Sequence, residues 1–369
     1  MTSELGRLIA RRITLAGPIP VADFMAEALG HPRLGYYRKA LALGAGGDFT
    51  TAPEISQMFG ELLGAWLAER WQAMGRPSPC LLVELGPGRG VLLADALRAT
   101  RAVPGFHAAL QIHLVEINET LRELQRVALT AHAPVWHERF DSVPTGPMLL
   151  IANEFFDALP VRQFQRTPAG WAERMIGLAA DGEALRFALA PGPSPFAALL
   201  PSGVELGAAV ELSPAAIGLA TAIGAQLAEH GGWALVIDYG RIGLGLGLGL
   251  GFSLQAVRGH RGVDVLDRPG ETDLSAHVDF EAIAAAAAGA GARVLGPASQ
   301  GDFLRRIGIQ WRAETLKARA TPSQALAIDA ALDRLIAPDQ MGTLFRVLAL
   351  GDTTSVPPAG FSDLPPDAP

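Results

Sequence analysis

Residues 81–90, LLVELGPGRG, constrain the fold more than any other stretch. Leu81, Leu82, Val83 and Leu85 form a short apolar run broken only by Glu84, the pattern of a strand buried in a parallel sheet. Gly86, Gly88 and Gly90 follow at alternate positions. Val91–Thr100 then spaces its apolar residues as a helix does. Strand, glycine turn and helix make the first unit of a doubly wound α/β fold. Such a unit places a ligand beyond the carboxyl end of the strand, against the helix N-terminus.

The glycine spacing narrows the ligand. In a dinucleotide fingerprint starting at Gly86, the third glycine would fall at 91, which is Val91. A P-loop is excluded as well, because no Lys followed by Ser or Thr succeeds Gly90. What remains is an acid, Glu84, two residues before a G-x-G-x-G turn. That pattern resembles the first motif of class I S-adenosylmethionine (AdoMet) methyltransferases. AdoMet has no pyrophosphate; its amino-acid moiety and ribose need the backbone close by, and glycine, lacking a Cβ, permits that approach. Glu84, Gly86, Gly88 and Gly90 are therefore candidate cofactor residues, against the plainer reading of a structural strand turn.

Further strands are expected at 111–116, 134–137, 148–152 and 233–239, and a last one at 344–350 as an antiparallel edge. Helices are expected at 20–29, with Pro20 at its first position, and at 54–74, 215–230, 281–288 and 323–336. Asp279 is a candidate N-cap. Residues 163–178 alternate around a TPAG turn and read as a hairpin. The resulting organisation is a helical region at 1–79, a methyltransferase-like domain at 80–351 and a Pro- and Asp-rich, disordered tail at 352–369. Within the domain, the hairpin and a helical segment at about 274–340 are insertions. The Gly-Leu run 243–251 reads as a pliable low-complexity loop.

Several polar residues fall at strand ends. Glu116 closes the second strand, where a carboxylate can accept both ribose hydroxyls; the alternative is a solvated charge. Asp141 follows the third strand, where an adenine edge could be read. Asn153-Glu154-Phe155-Phe156-Asp157 follows the fourth strand, beside the first. There Asn153 and Glu154 are expected to face the ligand while Phe155 or Phe156 packs inward. Asp238 ends the fifth strand. The loop 44–53, with Thr50 and Thr51, is either a lid over the cofactor or a helix-capping loop. His277 is a catalytic candidate set against a structural role.

Composition bounds the partners. A formal charge of −7 over 369 residues argues against a nucleic-acid substrate. The single cysteine, Cys80, leaves no intramolecular disulfide and no thiolate metal site, and fits a reducing compartment. No secretory leader is expected at the N-terminus and no run reads as a membrane span.

Taken together, GDFTTAPEISQMFGE, VELGPGRG, HLVEIN, NEFFDALPVRQF, VIDYG, LQAVRGH, SAHVDF and QMGTLFRVLAL resemble the MidA-like family of class I AdoMet-dependent methyltransferases. The resemblance spans roughly residues 5–350, and the Gly-Leu run departs from it. It implies a Rossmann-like α/β sheet, with an N-terminal helical region and inserted α+β elements, and AdoMet as cofactor. The family includes a mitochondrial protein arginine methyltransferase acting on a core subunit of respiratory complex I. The resemblance therefore implies that activity here, toward the equivalent bacterial subunit in the cytoplasm. An arginine acceptor needs a carboxylate fork to orient its guanidinium and localise its charge. Glu154 is the first choice for that role, with Asp157 and Asp238 behind it. A small-molecule O- or N-methyltransferase and a non-catalytic AdoMet-binding assembly factor remain as alternatives.

Overall fold

A computed structural model describes residues 3–39, 51–180, 182–241, 252–353 and 356–361. Its central sheet has eight strands. Seven are β1 (Cys80–Leu85), β2 (Leu110–Val115), β3 (Val135–His137), β4 (Met148–Asn153), β5 (Gly232–Arg241), β6 (Arg293–Ser299) and β7 (Phe345–Gly351). They lie in the order β6-β7-β5-β4-β1-β2-β3. All neighbours from β5 to β3 are parallel, and β7 runs antiparallel to both β5 and β6. The eighth, Val278–Asp279, pairs with the end of β5. The chain steps from β1 outward to β2 and β3, then returns to the other side of β1 as β4. That reversal opens a crevice at the carboxyl ends of β1 and β4.

The period-2 alternation of β1 sorts its side chains between two cores. Cys80 and Leu82 join Phe59, Leu63 and Trp66 on one face. Leu81, Val83 and Leu85 join Ile223, Leu227 and Phe280 on the other. Both faces are covered, so β1 tolerates an apolar run rather than an in-out pattern. Glu84 follows the parity of Cys80 and Leu82, at the end of the strand where the crevice begins.

The helix expected at 54–74 is two pieces. Ala52–Ile55 forms one turn, Ser56 is extended (φ −159°, ψ 137°), and its side chain caps a second helix, Gln57–Ala73, at Met58 N. This second helix packs on Val91–Ala99 through glycines: a Cβ on Gly64 would lie 2.6 Å from Ala96 Cα, and one on Gly60 2.8 Å from Asp95 Cβ. Between them, buried Glu61 accepts from Arg98 Nη2 at 2.8 Å and from Arg312 Nε at 2.7 Å. Gly64→Val should overpack this seam and lower stability by about 1–3 kcal/mol. An unchanged urea midpoint would show that the helices do not depend on the close approach.

Helices Glu4–Ala16 and Val21–Gly30 pack elsewhere, on two smaller sheets. Pro20 stands before the second of these helices as its extended N-cap rather than at its first helical position. The expected hairpin is Arg162–Thr167 with Gly170–Leu178, and three further strands extend it to a five-stranded sheet. Gln255–Arg258, Arg261–Val263 and Asp273–Ser275 make the other. Asp279 caps the helix Phe280–Gly289 as expected, accepting from Ala282 N at 2.9 Å. Two expectations change. The last strand is antiparallel but interior, because β6 covers its outer side. β6 itself lies in a stretch expected to be helical; its register breaks between Leu295 and Ala298, around Gly296-Pro297. The Gly-Leu run 243–251 and residues 354–355 and 362–369 of the expected tail lie outside the described residues. The rest of that tail is not disordered as expected, because Phe361 is buried in the core beside Phe303 and Trp66 Nε1 donates to Ala359 O at 3.1 Å.

Candidate active site

The turn after β1 is held in the left-handed region: φ is 61° at Gly86, 53° at Gly88 and 80° at Gly90. Only glycine adopts three such angles without steric cost. The turn borders a cavity of about 390 Å³, whose wall includes Glu84, Gly86, Gly88, Glu116, Asn153, Glu154 and Thr51. These seven candidates come from the carboxyl ends of β1 and β4, the residues that follow β1, β2 and β4, and the segment before the helix 57–73, so the topology brings together residues more than 100 positions apart. Gly90 instead ends the turn as the N-cap of Val91–Ala99. Thr50, with most of the expected lid, lies outside the described residues.

Two acceptors on the cavity wall have no hydrogen-bond partner among the described residues: Glu84 Oε2 and Asn153 Oδ1. Both residues are buried, Glu84 at 3% exposure and Asn153 at 8%. Burial pushes the Glu84 carboxyl up to about 8. A buried acceptor left unsatisfied costs about 1–3 kcal/mol, so these two mark a place where a donor belongs. Glu54, Glu116, Glu138 and Glu154 also line the cavity, against one cation among the described residues, Arg89, which pairs with Glu54 at 3.8 Å. The wall thus favours a ligand carrying positive charge. AdoMet, with an ammonium and a sulfonium, fits that set of acceptors and carboxylates.

Glu116 is 8% exposed and oriented from two sides. Its Oε1 accepts from Asn118 N at 2.8 Å and its Oε2 from Gln125 Nε2 at 3.3 Å. Burial raises its pKa, and those two donors oppose the rise. Asn118 also reaches the carbonyls of Tyr37 and Lys39, at 2.8 and 3.0 Å, tying the N-terminal segment to the end of β2.

Glu154 sits in the left-handed region at φ 51°, an unusual conformation for a residue with a side chain. Its amide donates to Ile237 O at 2.8 Å. Its Oε1 accepts from Ala52 N at 2.9 Å and from Asn153 Nδ2 at 3.2 Å. Burial first, then Asp157, raises its pKa to about 7. The next three amides, of Phe155, Phe156 and Asp157, all donate to Asp238 Oδ2, at 3.1, 3.0 and 3.2 Å. Asp238 is fully buried, and its Oδ1 takes Tyr239 N at 2.8 Å.

That geometry places two of the three catalytic candidates and one cofactor candidate off the cavity wall. Asp238 lies outside the cavity wall, with both oxygens engaged by backbone amides: it fixes the turn that presents Glu154. Asp157 also lies outside the wall and is hydrogen-bonded to Tyr239; burial pushes it up to about 6. Asp141 is exposed, paired with exposed Arg139 at 2.8 Å, and off the wall; Glu138 lines it instead. His277 takes no place on this wall and packs edge-on to Tyr239, with centroids 5.5 Å apart.

Sequence reasoning missed Tyr37, Glu54, Arg89, Glu138 and Gln125. Gln125 left a signal: the helix Glu119–Ala128 is apolar at Leu121 and followed by buried Leu129, so its spacing asks for an apolar residue at 125.

Sheet order, glycine turn and cationic-ligand cavity together define an AdoMet-dependent methyltransferase. The family model described as "Putative S-adenosyl-L-methionine-dependent methyltransferase" matches residues 62–298, and the chain belongs to that family. Among curated relatives, the Danio rerio protein arginine methyltransferase NDUFAF7, mitochondrial, is 37% identical over 392 residues, covering 96% of this chain and 92% of that one. The Homo sapiens NDUFAF7 is 38% identical, covering 93% and 82%. A Burkholderia thailandensis crystal structure bound to S-adenosyl-homocysteine superposes with a TM-score of 0.84 at 32% identity, covering 97% of this chain and 94% of that one. AdoMet is thus the cofactor. The expected bacterial cytoplasmic location is corrected by the same comparisons: these curated relatives are named mitochondrial, which points away from it. Among the described residues, no helix is long and apolar enough to cross a membrane.

Proposed function

We propose that this enzyme methylates an arginine of a protein substrate, and that the substrate is a core subunit of respiratory complex I. The observation that carries the arginine reading is Glu154, a carboxylate held on the cavity wall in a left-handed conformation. No described residue donates to its Oε2. The relatives' names supply the arginine, and the family resemblance supplies the complex I subunit.

AdoMet supplies an electrophilic sulfonium methyl. The chain's part is positioning, which governs an in-line displacement. Glu84 and Asn153 receive the cofactor's ammonium, Glu116 its ribose hydroxyls, and the glycine turn its close approach. Glu154 receives the guanidinium edge opposite the attacking nitrogen. A charge-assisted pair there orients the acceptor and holds positive charge away from the reacting atom. Asp238 acts at one remove, by fixing the backbone that carries Glu154.

Incubation with labelled AdoMet and isolated complex I subunits tests the reading. Label on an arginine of one core subunit, located by mass spectrometry, is the expected result. Label confined to small molecules, or AdoMet binding without transfer, would overturn it. The ribose assignment has its own test. Losing hydrogen bonds to a charged acceptor typically costs about 1.5–3 kcal/mol. Glu116→Ala should weaken AdoMet binding by about tenfold or more by calorimetry, and an unchanged dissociation constant would place the ribose elsewhere.

A further inference from the structure

We infer that Gln125, a residue outside the cavity wall, is the positioning residue for ribose recognition. The inference rests on Glu116 being the ribose acceptor. Gln125 is fully buried, and its three contacts allow one orientation of its amide. Trp136 Nε1 has a proton and no lone pair to offer, so the Gln125 atom it meets at 2.7 Å must be the carbonyl oxygen, Oε1. The amide nitrogen is then left with two protons, and the structure gives each a destination. One goes to Gly88 O at 2.7 Å, the other to Glu116 Oε2 at 3.3 Å.

One side chain therefore joins the glycine turn after β1 to the carboxylate at the end of β2, with the indole of β3 as its fixed point. The turn and the carboxylate belong to different strands and have no other described side chain bridging them. The approach is close on the backbone side as well: a Cβ on Gly90 would lie 3.4 Å from Gln125 Cα. Gln125 sets the distance between the turn and Glu116, and it occupies one lone pair of Oε2. A flipped amide would set oxygen against oxygen at both Gly88 and Glu116, so the Trp136 bond specifies the working orientation.

The test is a thermodynamic cycle read by calorimetry. AdoMet and its 2′-deoxy analogue are titrated into the wild-type protein and into Gln125→Glu. This variant keeps length and the acceptor for Trp136 but replaces the donor amide by a second carboxylate facing Glu116. Gln125→Met, in a second arm, removes both donors without adding charge; thermal melts establish that each variant is folded. The wild type should prefer AdoMet over the deoxy analogue by about tenfold, and both variants should lose most of that preference while binding the deoxy analogue within a few-fold of wild type. A variant that is merely less stable would weaken both ligands alike and keep their ratio, which overturns the inference. A wild-type protein with no preference overturns the ribose reading of Glu116 and this inference with it. A preference in the wild type that survives in folded Gln125→Met overturns the role of Gln125 alone.

Discussion

Glu154→Gln should bind AdoMet with close to wild-type affinity and transfer methyl at about one hundredth of the wild-type rate or less. The first half follows from the contacts. Glutamine keeps the side-chain oxygen that accepts from Ala52 N, and the glycine turn, Glu84 and Glu116 are untouched. The second half follows from charge. A neutral amide cannot pair with a guanidinium, and removing a charge-stabilising group from a water-poor site costs on the order of 100-fold or more. The pH profile provides a second signature. Glu154 titrates at about 7, raised by burial. Only its ionised form pairs with the acceptor, and the positive charge of bound AdoMet favours that form, so wild-type kcat/KM at saturating AdoMet should rise with pH along a limb at or below about 7. That limb should vanish in Glu154→Gln. Full methylation by the variant would reject the carboxylate grip. Loss of AdoMet affinity that accounts for the whole loss of transfer would make Glu154 a cofactor ligand instead.

What could be read in the sequence was what is local. The β1 run, its glycine turn and the acids at the ends of β2 and β4 follow from period and spacing, and the structure lines one cavity with them. Strand order is not local. Nothing in LFRVLAL says that another strand will cover it, and β6 hides behind a Gly-Pro pair that breaks its own alternation. Side-chain roles at strand ends divide the same way. Glu154 and Asp238 are equally acidic and equally well placed by position alone. Only the three amides arriving from 81–83 residues away separate the acid on the cavity wall from the acid that fixes the turn. Asp141 lies off the wall for the opposite reason: Arg139, two residues away, pairs with it at the surface. Gln125 is the reverse case, a polar residue on a buried helix face whose partners lie on three other segments.

Gly86→Val should leave a folded protein with no measurable AdoMet binding, a loss of more than 100-fold. Two effects act together at this position. The backbone is left-handed, at φ 61°, which costs an L side chain about 1–2 kcal/mol and a β-branched one more. The new Cβ would also lie 2.8 Å from Phe155 Cδ2, well inside contact distance. Either the turn shifts or the Phe155 ring swings away, and both Gly86 and Phe155 are on the cavity wall. The space for the cofactor is altered whichever yields. The fold should persist, because β1 stays buried between two cores and the expected cost of about 2–4 kcal/mol lies below the stability of a typical domain. Pairing Gly86→Val with Phe155→Ala separates the two effects: removing the ring relieves the overlap but leaves the backbone strain. Partial recovery of binding in the pair would assign the loss to the Phe155 contact, and no recovery would assign it to the turn. Wild-type affinity in folded Gly86→Val would show that the cofactor does not approach the strand at this glycine, and the placement of AdoMet against β1 would fall.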